Sequence, residues 1–133
     1  MRTLGSVVVR DYMQTQVVTF TADMEVMTAI NDLVKHRISG APVLDADGNL
    51  VGVLSEKDCL KVALTAGYEG VPAGIVAEYM THDALTVSPD TPILEIASRF
   101  LDSAVKRYPV VKSGKLVGQI SRADVLRAIN EIC

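Results

Sequence analysis

The sequence predicts an α+β fold made of two β-α-β-β-α units related by a pseudo-two-fold, with their sheets packed against each other and the helices outside. Three observations carry this. The chain repeats itself: Val9-Arg10-Asp11-Tyr12-Met13 recurs as Val76-Ala77-Glu78-Tyr79-Met80, and Pro42-Val43 as Pro109-Val110. Hydrophobic spacing switches between the strand and helix periods in the same order in both copies. The copies keep one offset until the turn Asp45–Asn49, where the second, Lys112–Lys115, is one residue shorter. A deletion confined to a turn is what a duplicated fold tolerates. At 133 residues the chain fits one compact module. Its boundaries read as 7–66 for the first repeat, 67–75 for a linker and 76–131 for the second. Units of this size bury little surface alone, so a shared core is expected.

In the first copy, Val17–Phe20 reads as a short strand. Val26, Ala29, Ile30 and Leu33 fall at helical spacing, predicting a helix from Asp23 to about His36, with Thr21 or Asp23 as cap and Gly40 and Pro42 as stop. The runs Ala41–Asp45 and Leu50–Leu54 flank Asp47-Gly48-Asn49, a hairpin signature. A second helix starts at Ser55. The second copy repeats the order: a strand at Leu85–Val87, a helix from Thr91 to Ser103, a hairpin from Tyr108–Val111 and Leu116–Ile120, and a helix from Ser121 to about Asn130. Three glycines and a proline between Ala66 and Gly74 mark the linker.

Composition excludes several classes. A hydrophobic fraction of 49% with 22% charged residues argues against disorder. A net charge of −3 gives no basic footprint for nucleic acid. No apolar run reaches the roughly 18 residues of a membrane span, and the start lacks a secretory core. A cytoplasmic protein is expected. Cys59 aligns with Val125 and reads as a small core residue, while Cys133 ends the chain; neither these nor His36 and His82 have metal-ligand spacing. No catalytic motif stands out, and no enzyme activity or metal is expected.

The local candidate is Gly-x-x-Ser-x-x-Asp, present as Gly52/Ser55/Asp58 and as Gly118/Ser121/Asp124, each at a strand-to-helix junction. Glycine lets another group approach the backbone, serine at a helix start faces free N–H groups, and the carboxylate can accept two ribose hydroxyls. The same pattern is a helix-capping box, and that alternative stays open. The basic pairs His36-Arg37 and Lys106-Arg107 follow the first helix of each copy. They suit a phosphate or, equally, a helix C-terminus. Val17, Val18, Ala84 and Leu85, with Ile38 and Val105, are aliphatic groups that could hold a purine or belong to the core.

These residues resemble a tandem pair of cystathionine β-synthase (CBS) domains over about residues 7–131. The likeness rests on Tyr-Met at 12–13 and 79–80, Pro-Val at 42–43 and 109–110, and the two Gly-x-x-Ser-x-x-Asp junctions. No other domain accompanies the pair, so a stand-alone CBS protein is expected. The resemblance implies a Bateman module that binds an adenosine derivative (AMP, ADP or ATP) as a regulatory ligand, in clefts between the repeats, and that forms a homodimer acting on a regulated protein. It implies one site of Val18, Ile38, Ser39, Gly40, Lys106, Ser121 and Asp124. A second would use Leu85, Val105, Lys106, Arg107, Tyr108, Ser55 and Asp58, with His36 or Arg37 near phosphate. The first is favoured because Ser39-Gly40-Ala41 is small, whereas Lys106-Arg107-Tyr108 is bulky; Tyr108 would either stack on a base or fill its cleft. The alternatives are a ligand-free structural or dimerisation scaffold and an S-adenosylmethionine sensor.

Overall fold

A computed structural model of the chain describes residues 2–69 and 74–133. Among these residues it is a mixed α+β structure with two small sheets and four α-helices. The chain divides into two compact units: one is Val18–Ala84, the other joins the residues up to Val17 to Leu85–Cys133. The division does not follow the repeats. The lead-in of each copy, the segment before its first strand, belongs to the unit that holds the sheet of the other copy.

In the Val18–Ala84 unit, β1 (Phe20–Thr21) lies parallel to β2 (Gly40–Leu44), which pairs antiparallel with β3 (Leu50–Ser55). Helix α1 (Val26–His36) buries Val26, Ala29 and Leu33, the face its spacing predicts. Helix α2 covers Glu56–Glu69, so it runs through the first residues of the expected linker; residues 70–73 of that linker lie outside the described residues. The core gathers Phe20, Val26, Leu33, Val43 and Leu54 with Val76 and Tyr79 of the second lead-in. The start of α1 corrects the expected cap. Its N-cap is Glu25, without a side-chain bond, and the Val26 N–H donates instead to the Gly74 carbonyl at 2.9 Å. Helix α1 ends at Arg37 in the left-handed region (φ 54°), and the Ile38 N–H returns to the Leu33 carbonyl.

The other unit mirrors this. Helix α3 (Ile93–Leu101) is capped in the same way: the Ile93 N–H donates to the Val7 carbonyl at 3.0 Å, from the first lead-in. Strands β4 (Arg107–Lys112) and β5 (Lys115–Ser121) form a two-stranded sheet whose turn holds Ser113 and Gly114 at positive φ, as a two-residue hairpin requires. Helix α4 (Arg122–Ile132) follows, with Ser121 as N-cap. Val7, Val9 and Tyr12 of the first lead-in join Ile93, Ile96, Tyr108, Val110, Ile120 and Val125 in the core. The strand expected at Leu85–Val87 contracts to a single parallel bridge, Val87 with Val110. The cause is one residue. In the first copy the Ala22 N–H extends the ladder to the Leu44 carbonyl; its counterpart Pro89 has no N–H to give.

Candidate functional site

Both Ser-x-x-Asp elements form reciprocal capping boxes. At α2 the Asp58 N–H donates to Ser55 Oγ at 3.1 Å and the Ser55 N–H to Asp58 Oδ2 at 3.0 Å. At α4 the corresponding distances are 3.3 and 2.8 Å, and the Ser121 hydroxyl also donates to Asp124 Oδ2 at 3.0 Å. The two carboxylates are the buried charges of the described residues, Asp58 at 6% exposure and Asp124 at 3%. Buried charge is costly unless each oxygen is met by a donor.

The remaining donors come from positions the sequence reading passed over. Gln14 Nε2 donates to Asp124 Oδ1 at 3.0 Å, and Arg127 Nη1 to the same oxygen at 3.0 Å. Arg127 is anchored again by the Tyr12 carbonyl at 2.8 Å and lies 5.4 Å from the centre of the Tyr12 ring. At the other box the Thr81 hydroxyl lies 3.2 and 3.3 Å from the two Asp58 oxygens, and Lys61 Nζ stands 3.7 Å from Oδ1. Gln14 and Thr81 are equivalent residues of the two lead-ins, as Arg127 and Lys61 are of the two helices. A cation three residues after each aspartate was the available signal.

The glycines of the motif serve the same exchange. A Cβ at Gly118 would stand 2.7 Å from the Gln14 carbonyl oxygen and 2.8 Å from Met13 Sδ; at Gly52 it would stand 2.8 Å from both the Thr81 carbonyl oxygen and Met80 Sδ. The close approach that the glycines were expected to permit is therefore made by the lead-in backbone.

Other expected site residues are placed as follows. Val18, Ile38, Ser39 and Gly40 are half-buried in the Val18–Ala84 unit, where Val18 and Ile38 pack on its core. Arg37, Ile38 and Ser39 line an open cleft of about 500 Å³ with Ile30, Leu33, Val34, Glu56 and Cys59, none of which was singled out as a ligand contact. Burial, and then the charges of Asp58 and Glu56, push the Cys59 thiol up from its ordinary value. His36 and Arg37 are exposed. In the other unit Lys106 and Leu85 are exposed, Val105 packs on the core and Arg107 is half-buried. Tyr108 is a core residue: it is 2% exposed, its ring centre lies 4.9 Å from that of Phe100, and its hydroxyl pairs with Ser103 Oγ at 3.1 Å. A ring so buried is not available to stack on a base, which corrects that expectation for Tyr108.

The family model described as "CBS domain" matches the chain twice, over residues 9–65 and 76–131. The chain belongs to the CBS domain family. This CBS pair is similar to CBSX2 of Arabidopsis thaliana. A crystal structure of CBSX2 in complex with AMP superimposes with a TM-score of 0.84 at 30% identity, covering 96% of this chain and 98% of that one. It is also similar to the CBS domain pair of MJ0100, solved in complex with 5-methylthioadenosine and S-adenosyl-L-methionine (TM-score 0.76, 26% identity, 94% and 97% covered). An A-adding tRNA nucleotidyltransferase of Aquifex aeolicus is 34% identical over 92% of this chain, which spans 14% of that protein's length. Among the described residues, no helix of the CBS pair is long and apolar enough to cross a membrane.

Proposed function

We propose that this CBS pair is a non-enzymatic, cytoplasmic regulatory module that binds an adenine nucleotide and acts on a partner protein as a homodimer. The observation that carries the reading is the likeness to the AMP complex of CBSX2 along nearly all of both chains, joined to a Ser/Asp pair at the start of both α2 and α4. In this reading Asp124 and Ser121 take the ribose and phosphate side of one ligand, with Lys106 beside the phosphate and Val18, Ile38, Ser39 and Gly40 on the base. Asp58 and Ser55 take the equivalent roles for a second, with Leu85, Val105 and Arg107, and with His36 or Arg37 toward phosphate. The 26% identical MJ0100 pair, solved with S-adenosyl-L-methionine, keeps that ligand as an alternative.

Self-association is supported by the helix surfaces. Exposed apolar side chains recur at equivalent places: Met27 and Leu94, Val34 and Leu101, Leu60 and Leu126. Solvent-facing apolar side chains that recur in register on both copies suit burial against a second copy of the chain.

One observation favours a second reading. Both Asp carboxylates are already met by donors of the chain itself, from their capping boxes and from Gln14 or Thr81, as a ligand-free scaffold requires. Thermal unfolding with AMP, ADP, ATP and S-adenosyl-L-methionine separates the two. A ligand that binds only the native state adds about 2.7 kcal/mol at a hundredfold excess over its Kd. The sensor reading expects a saturable rise with one of these compounds that Asp124→Ala or Asp58→Ala reduces. No shift at millimolar ligand would leave the scaffold.

A further inference from the structure

We propose that Gln14 gates the Asp124 carboxylate: a ligand that takes this carboxylate through a vicinal diol must first displace the Gln14 amide, so the residue at position 14 sets the affinity of that copy. The inference rests on the adenosine-ligand reading above. A carboxylate offers about four lone-pair positions. On Asp124 four donors hold them: the Ser121 N–H and hydroxyl on Oδ2, Gln14 Nε2 and Arg127 Nη1 on Oδ1. A ribose diol therefore enters only if a donor leaves.

The four are not equally held. The Ser121 N–H is fixed by the start of α4, and the Ser121 hydroxyl also accepts from the Asp124 N–H, which ties it into the cap. Arg127 is charged, bonded to the Tyr12 carbonyl and stacked on the Tyr12 ring. Charge-assisted bonds are roughly twice as strong as neutral ones. Gln14 brings a neutral amide on an exposed side chain. Its backbone is secured separately, by the paired bonds of Gln14 N–H to the Gln119 carbonyl (2.8 Å) and Gln119 N–H to the Gln14 carbonyl (2.9 Å). The side chain can turn to water while the lead-in stays in place. The equivalent residue at the other box, Thr81, spreads one hydroxyl across both Asp58 oxygens at 3.2 and 3.3 Å. The two copies thus carry gates of different strength on otherwise similar carboxylates.

The test is calorimetric titration with AMP in an Asp58→Ala background, where Asp124 is the remaining carboxylate, with circular dichroism confirming the fold. Gln14→Ala and Gln14→Thr are expected to bind AMP about three- to tenfold more tightly than the unchanged residue, the factor a neutral hydrogen bond supplies. The same variants without ligand should melt slightly lower. Opposite signs separate a gate from a structural contact, whose loss would lower both. In the wild-type chain, where no substitution threatens the fold, AMP should move the Gln14 side-chain amide signals in ¹H–¹⁵N spectra toward those of a solvated amide. Equal or weaker AMP affinity in Gln14→Ala, with wild-type binding intact and lost in Asp124→Ala, overturns the gate alone. Absence of AMP binding in every variant overturns the gate together with the AMP reading of the site.

Discussion

Gly118→Ala tests whether the glycine of the repeated motif exists for the exchanged lead-in. The new methyl group would lie 2.7 Å from the Gln14 carbonyl oxygen and 2.8 Å from Met13 Sδ. The sulfur can rotate away, but the carbonyl belongs to backbone held by two hydrogen bonds to Gln119. Relief requires the bridge to open or the lead-in to shift. Overpacking of this kind costs about 1–3 kcal/mol. Loss of the paired bonds adds about 0.5–1.5 kcal/mol each. The expected loss is about 2–6 kcal/mol, measured as the change in urea midpoint at constant slope. Gly48→Ala is the comparison: at φ +84° with open space around it, it should cost about 1 kcal/mol from backbone conformation alone. Amide exchange at Gln14 and Gln119 should rise in Gly118→Ala and stay unchanged in Gly48→Ala. Stability of Gly118→Ala within 0.5 kcal/mol of wild type, with Gln14 and Gln119 still protected, would refute the reasoning.

Ser55→Ala and Ser121→Ala should each cost about 1 kcal/mol in thermal or urea unfolding, because each removes the side-chain acceptor for the N–H of the third residue of its helix. Ser121→Ala should cost the more, since it also takes a hydroxyl donor from the buried Asp124. The raised Cys59 thiol should alkylate slowly with iodoacetamide at pH 8 in the folded chain and accelerate on unfolding in urea. Equal rates in the two states would contradict its packing. With its pKa raised in the fold, the stability contribution of Cys59 is present below the unfolded thiol pKa and falls as pH rises through it, a loss that Cys59→Ala should abolish.

The elements were legible wherever one segment decides its own structure. The spacing of Val26, Ala29 and Leu33 gives α1, the Asp47-Gly48-Asn49 turn gives the first hairpin, and Ser121 with Asp124 gives a box that forms as read. What depends on distant backbone was not legible. The start of α1 looked like a case for Thr21 or Asp23, yet its N–H is met by the Gly74 carbonyl. The exchange itself is hidden by the duplication: Val9 and Val76, or Tyr12 and Tyr79, are near-identical residues, so each lead-in fits either sheet by pattern alone. Pro89 was visible in the sequence, but its effect follows only once Ala22 is seen to donate. Ser55, Asp58, Ser121 and Asp124 form the capping boxes that their spacing allowed, whereas Gln14, Thr81 and Arg127 become significant only through what they touch.

The exchange predicts where damage appears. Val9 lies in the first repeat by sequence, but it is fully buried among Ile93, Ile120 and Val125. Val76 lies in the second repeat and is fully buried among Phe20, Val43 and Leu54. Truncating either to alanine removes two methyl groups from a closed core, at about 2 kcal/mol with the cavity term included. Hydrogen exchange resolves which unit loosens. Val9→Ala should raise exchange in β4, β5 and α4 and leave β2 and β3 protected, and Val76→Ala should do the reverse. Loosening of β2 and β3 by Val9→Ala would mean that each lead-in packs with its own copy in solution. The glycine and gate arguments would then fail together, because both need residue 14 beside Gly118 and Asp124.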